Sequence, residues 1–131
     1  MDWNDCINKK ITKQVKLDNN LIKSARKIAN EKVISANSLE KSHYYAKISL
    51  FYDALREYLE CIALENGYKI YNHECYTSFL REILKLRKES LIFDRLRKVR
   101  NGINYYGESV TQEKAELIIN DLKILIKKFR K

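Results

Sequence analysis

The chain contains no proline and only three glycines, Gly67, Gly102 and Gly107, in 131 residues. An all-β chain needs turn residues at regular short intervals, and this one has none to place there. Apolar residues instead recur three and four apart almost throughout, the spacing that keeps one face of a helix dry. The pattern predicts an all-α protein, an antiparallel bundle of five to six helices joined by short links. With 45% hydrophobic residues the chain can bury a core. Residues 1–131 read as a single helical domain, with N-terminal helices in 1–40 and a core in 42–130. There is no internal repeat and no low-complexity tract.

A short first helix is expected through Trp3, Cys6, Ile7 and Ile11. Asp18 or Asn19 is expected to cap a second helix, with Leu21, Ile22, Ala25, Ile28, Ala29 and Val33 on its apolar side. Ser38 or Ser42 is expected to open the longest helix, whose buried stripe includes Ala46, Tyr52 and Leu59. Asn66-Gly67 should end it. A loop over residues 68–72 leads to a fourth helix through Tyr76, Phe79 and Ile83. Ser90 precedes a fifth helix, which Gly107 stops. Thr111 caps the last, from Ala115 to Phe129.

The three cysteines, Cys6, Cys61 and Cys75, are far apart and unequally spaced, so a zinc site is not indicated. Free, mostly buried thiols are the expectation. No metal site, cofactor or membrane span is predicted. The acidic start of the chain lacks a leader pattern, and a cytoplasmic location is expected.

Net charge is +9, concentrated at the ends: eight cations to five anions in residues 1–40, eight to seven in 41–90, ten to five in 91–131. Such a surface attracts polyanions, although lysines also simply keep a surface solvated. The densest polar stretch is residues 97–107, with three cations, two amides, two tyrosines and two glycines. Arg97, Arg100 and Asn104 can share a helix face. An arginine fork matches phosphate. Asn101 adds an amide, and Tyr105 and Tyr106 offer rings for stacking on a base. Gly102 suggests a bend or the close approach of another backbone. Asp53 or Glu57, from the long helix, would brace Arg100. In a purely structural role, that brace would tie the bundle together.

The run Arg100-Asn101-Gly102-Ile103-Asn104-Tyr105 resembles the R-N-x-x-x-H motif of HEPN domains. Residues 52–60 resemble the family's central helix, and Asn66-Gly67 followed by His73 its step into the next helix. The likeness extends from Ser42 to Phe129. It implies a homodimer with the motifs facing across a cleft, and either metal-independent ribonuclease activity or binding of RNA or nucleotide. It also implies a possible toxin-type partnership with a minimal nucleotidyltransferase. Arg100 matches the motif arginine, Asn101 its polar neighbour and Asp53 the bracing acid. Tyr105 stands where the motif has histidine, and a tyrosine titrates far above neutral pH. The expectation is therefore an RNA- or nucleotide-binding protein using Arg97, Arg100, Asn101, Asn104, Tyr105 and Tyr106. The alternatives are an altered ribonuclease, with Arg100 and Tyr105 as catalytic candidates, and a non-catalytic dimerisation module. His73 is expected to cap a helix or anchor a loop, and His43 to lie at the surface.

Overall fold

A computed structural model describes residues 1–131. The chain is 76% helical, with six α-helices and one two-stranded sheet. None of the helices is long and apolar enough to cross a membrane.

Helix α1 (Trp3–Asn8) is closed by a capping box between Asp2 and Asp5. It stops before Ile11, because Lys10 takes a left-handed turn at φ 58°. Strand β1 (Thr12–Gln14) follows. Helix α2 (Asn19–Ser38) begins with the Asp18 carboxylate accepting from the Leu21 amide. Its buried side is Ile22, Ala29, Val33 and Ala36, while Leu21 and Ile28 remain exposed.

Helix α3 (Tyr44–Glu65) is the axis of the molecule, flanked by α2 and α6. Tyr52, Tyr58, Phe51 and Leu55 are among its wholly buried side chains, whereas Ala46 is exposed. Neither serine opens it. Ser38 is the last residue of α2, Ser42 sits in a 3-10 turn, and the N-cap is His43, without a side-chain bond. What closes the α2–α3 corner is Lys47, whose ammonium donates to the Ala36 and Leu39 carbonyls at 2.8 and 2.9 Å. A cation at a helix C-terminus satisfies the unpaired carbonyls there and meets the negative end of the dipole. Asn66 and Gly67, at φ 85°, end α3 as the sequence suggests.

The expected loop after α3 contains strand β2 (Tyr68–Ile70), antiparallel to β1 with Thr12 opposite Ile70 and Gln14 opposite Tyr68. Helix α4 (His73–Ser78) runs into a π-helical turn over Phe79–Ile83. Trp3 packs its ring on Tyr68 and Phe79, at 5.1 and 5.7 Å between centroids. This brings α1 onto α4 and joins Cys6 to Cys75 in a disulfide, so two of the three thiols expected to be free are not. Cys61 is free and buried, its thiol directed at the Ile22 carbonyl.

Helix α5 (Arg87–Tyr106) starts three residues before Ser90 and ends at Gly107, in the left-handed region at φ 63°. Gly102 lies within this continuous helix. Its close neighbour is the Glu108 carboxylate, not another backbone. The Tyr45 hydroxyl accepts from the Val110 amide at 3.1 Å and faces its carbonyl at 3.3 Å, which fixes the link to α6. Helix α6 (Gln112–Phe129) is capped by Thr111 and buries Ala115, Ile118, Leu122 and Phe129 against α3.

Candidate anion-binding groove at the end of helix α5

Successive turns of α5 bring Arg97, Asn101 and Tyr105 to one side, four residues apart, with Arg100 between them. They face the start of α4 across an open cavity of about 320 Å3, whose opposite wall is Tyr71, Asn72 and His73. Beneath Arg100 and His73, and outside the cavity lining itself, lies Tyr52 of α3, wholly buried.

Arg100 is the centre of the groove. Its guanidinium lies between two aromatic faces, 5.2 Å from the Tyr52 ring centroid and 5.3 Å from that of Tyr105. Nη1 donates to the Tyr105 hydroxyl at 3.0 Å. Nη2 lies 3.8 Å from an Asp53 carboxylate oxygen, close enough for attraction and too far for a hydrogen bond. Nε is buried and has no hydrogen-bond partner. Arginine carries five N–H donors, so this one is held in place with most of its hydrogen-bonding capacity unspent. A buried donor without a partner is costly, and the Nη groups keep further N–H donors that no protein atom accepts.

His73 stands on the opposite wall. Its Nδ1 is 3.1 Å from the Tyr52 hydroxyl. Burial lowers its pKa to about 4, assisted by the positive charges of Arg56 and Arg100, so the imidazole is neutral at pH 7. Burial pushes the Tyr52 phenol far up, and it stays protonated. The phenol can thus donate to Nδ1, which leaves the imidazole hydrogen on Nε2, available to an acceptor.

The other residues expected at the site divide clearly. Asp53 is the brace, on the long side. Glu57 is not: it pairs with Lys32 of α2 at 2.6 Å and stands 3.8 Å from Arg56. Arg97 lines the groove, but Nε and Nη2 both bind one Asp94 oxygen, at 3.1 and 2.8 Å. Asp94 also takes Thr77 and Lys98; burial works to raise its carboxyl, but Arg97 and Lys98 hold it below the usual range. Asn104 and Tyr106 are exposed and do not line the cavity. Tyr105 is 67% exposed, its hydroxyl accepting from Arg100.

His73 does not cap α4; Asn72 does, its side chain accepting from the Glu74 amide at 2.7 Å. That cap turns His73 inward toward Tyr52. The sequence signal was an asparagine directly before a histidine at a helix start. Tyr52 was legible as a core residue but not as the ring beneath Arg100 and His73. No group of three or more His, Cys, Asp or Glu side chains is placed to hold a metal ion.

Compared with family models, with curated proteins and with solved structures, the chain matches none.

Proposed function

We propose that the groove binds a phosphate of RNA or of a nucleotide, in a protein built on HEPN lines. The observation that carries this reading is Arg100: a guanidinium clamped between two rings, with an unpartnered buried Nε, at the edge of an open polar cavity. A phosphate would take the free arginine donors, the His73 Nε2 hydrogen and the Asn101 amide. The exposed rings of Tyr71 and Tyr105 offer faces on which a base can stack. The homodimer and the nucleotidyltransferase partner implied by the resemblance belong to the same proposal. Tyr105 and Tyr106 are the exposed side chains beside the motif that a partner enzyme would reach first.

The ribonuclease alternative has less support. Cleavage by a ribose hydroxyl needs a group that exchanges protons near neutral pH. His73 is the only histidine in the groove, and its lowered pKa makes it a weak base and a poor source of protons there.

Fluorescence anisotropy with a short labelled single-stranded RNA, and competition by a nucleoside monophosphate, tests the proposal. Binding should weaken as salt rises. Arg100→Ala should reduce affinity about tenfold or more, the worth of a charge-assisted contact. Absence of binding at low salt, or equal binding by Arg100→Ala, overturns it.

A further inference from the structure

Cations also gather in a trough on the other side of α3. Phe51 and Asp53 are two residues apart, about 200° around a helix, so the face carrying Phe51 looks away from the Arg100 groove. There, two cavities of about 300 and 330 Å3 adjoin at Lys123. Lys41, Tyr44 and Lys47 line the first, and Phe51, Lys127 and Arg130 the second. On α6, Lys123, Lys127 and Arg130 follow at four and three residues, a row about 10 Å long on one face.

Three features mark this trough. Elsewhere several cations bridge elements to carboxylates: Arg26 with Glu65, Lys32 with Glu57, Arg95 with Asp121, Lys128 with Glu89. The trough's cations have no ion pair, and Glu116 is the single acid along its walls. Next, Lys47 is buried, and its ammonium rests on two neutral carbonyls. One of its three N–H groups remains, and no carboxylate balances its charge. Finally, the ammonium groups of Lys47 and Lys123 lie over the same Phe51 ring, 5.9 and 5.4 Å from its centroid. Two like charges share that ring, and neither has a carboxylate paired with it.

We propose that this trough binds an oligophosphate chain, inorganic or attached to a nucleoside. Lys41, Lys47 and Lys123 would hold one end, and Lys127 and Arg130 the other. Three of the five cations stand in a row about 10 Å long on α6, and Lys41 and Lys47 line the same trough where it meets Lys123, a clustering suited to contiguous phosphates. A nucleic-acid strand, with one phosphate per nucleotide, suits it less well. Tyr44 and Asn120 at the Lys41 end would contact a nucleoside if one is attached. The inference does not depend on what the Arg100 groove binds.

The test is isothermal titration of the full chain with tripolyphosphate, with ATP, and with a short single-stranded RNA. The variants are Lys41→Ala/Lys123→Ala, Arg100→Ala, and Lys9→Ala/Lys88→Ala, which removes the same charge elsewhere on the surface. Lys47 stays in place because it supports α2, and thermal melting confirms that each variant folds. The proposal expects tripolyphosphate binding to fall about tenfold or more in Lys41→Ala/Lys123→Ala and to hold in the other two. Tighter binding of ATP than of tripolyphosphate assigns the nucleoside-linked ligand, and the reverse the inorganic one. No binding of either, equal loss in Lys9→Ala/Lys88→Ala, loss in Arg100→Ala with none in the trough variant, or response of the trough variant to RNA alone would each overturn it.

Discussion

Opening the disulfide tests the fold most directly. Cys6 and Cys75 are 69 residues apart, and both are fully buried. In the chain-entropy treatment, closing a loop of about 70 residues restrains the unfolded state by roughly 4 kcal/mol at 25 °C. A domain of this size has about 5–15 kcal/mol of stability in all, so the bond supplies a large share. Urea unfolding followed by circular dichroism, with and without reductant, measures it. At a slope of about 2 kcal/mol/M, a loss of about 4 kcal/mol moves the midpoint down by about 2 M. The slope should rise on reduction, because the open chain exposes more surface when unfolded. Cys6→Ala/Cys75→Ala should fall at least as far, since it also leaves space in the core. Thiol titration in denaturant supplies the control, with one reactive group before reduction and three after. Three before reduction would remove the bond from the description. An unchanged midpoint after confirmed reduction would refute the entropic reasoning itself.

Arg100→Ala should cost only about 1–2 kcal/mol, because Asp53 is a third exposed and 3.8 Å away. The melting point should drop by about 3–7 °C, and a collapse of the fold would show a sealed brace instead. His73 binds its proton more weakly folded, near pH 4, than unfolded, near 6.5. The unfolded state therefore takes up more protons in that window, and stability declines as pH falls from about 6.5 toward 4. After discounting for the solvent-facing half of the ring, the effect should be about 1–2 kcal/mol. Urea midpoints between pH 7 and 5 should show a shallower slope in His73→Gln. Lys47→Met should lose about 1–3 kcal/mol by stripping the Ala36 and Leu39 carbonyls of their donor, read as a lower melting temperature. Gly102→Ala should gain up to about 1 kcal/mol, since the Glu108 carboxylate in its way is the mobile tip of an exposed side chain.

Local chemistry was the legible part of the sequence. Asp18, Thr111, Asn66-Gly67 and Gly107 act within a few residues of themselves, and each ends or begins a helix as expected. Features that join distant segments were hidden. Thr12-Lys13-Gln14 has no alternating apolar pattern, so nothing local announces a strand that forms only on meeting Tyr68–Ile70. The disulfide depends on the same meeting, and on Trp3 finding Tyr68 and Phe79. Serines near a helix start look like caps, yet Lys47, inside the helix, settles the α2–α3 corner. At the groove, spacing along α5 grouped Arg97 and Arg100 with Asn104, where the cavity takes Asn101 instead. It was blind to His73 and Tyr52, which arrive from other elements, and to the salt bridge that occupies Arg97.

The attachment of α1 to α4 and of β1 to β2 has a practical corollary for anyone trimming the protein. Ser42 to Phe129, the span of the family resemblance, would make a poor minimal fragment. Cut there, β2 loses its only pairing strand, Cys75 is left as a lone thiol, and the indole of Trp3 vanishes from between Tyr68 and Phe79. The opening seventeen residues are better treated as a keystone than as a leader to discard.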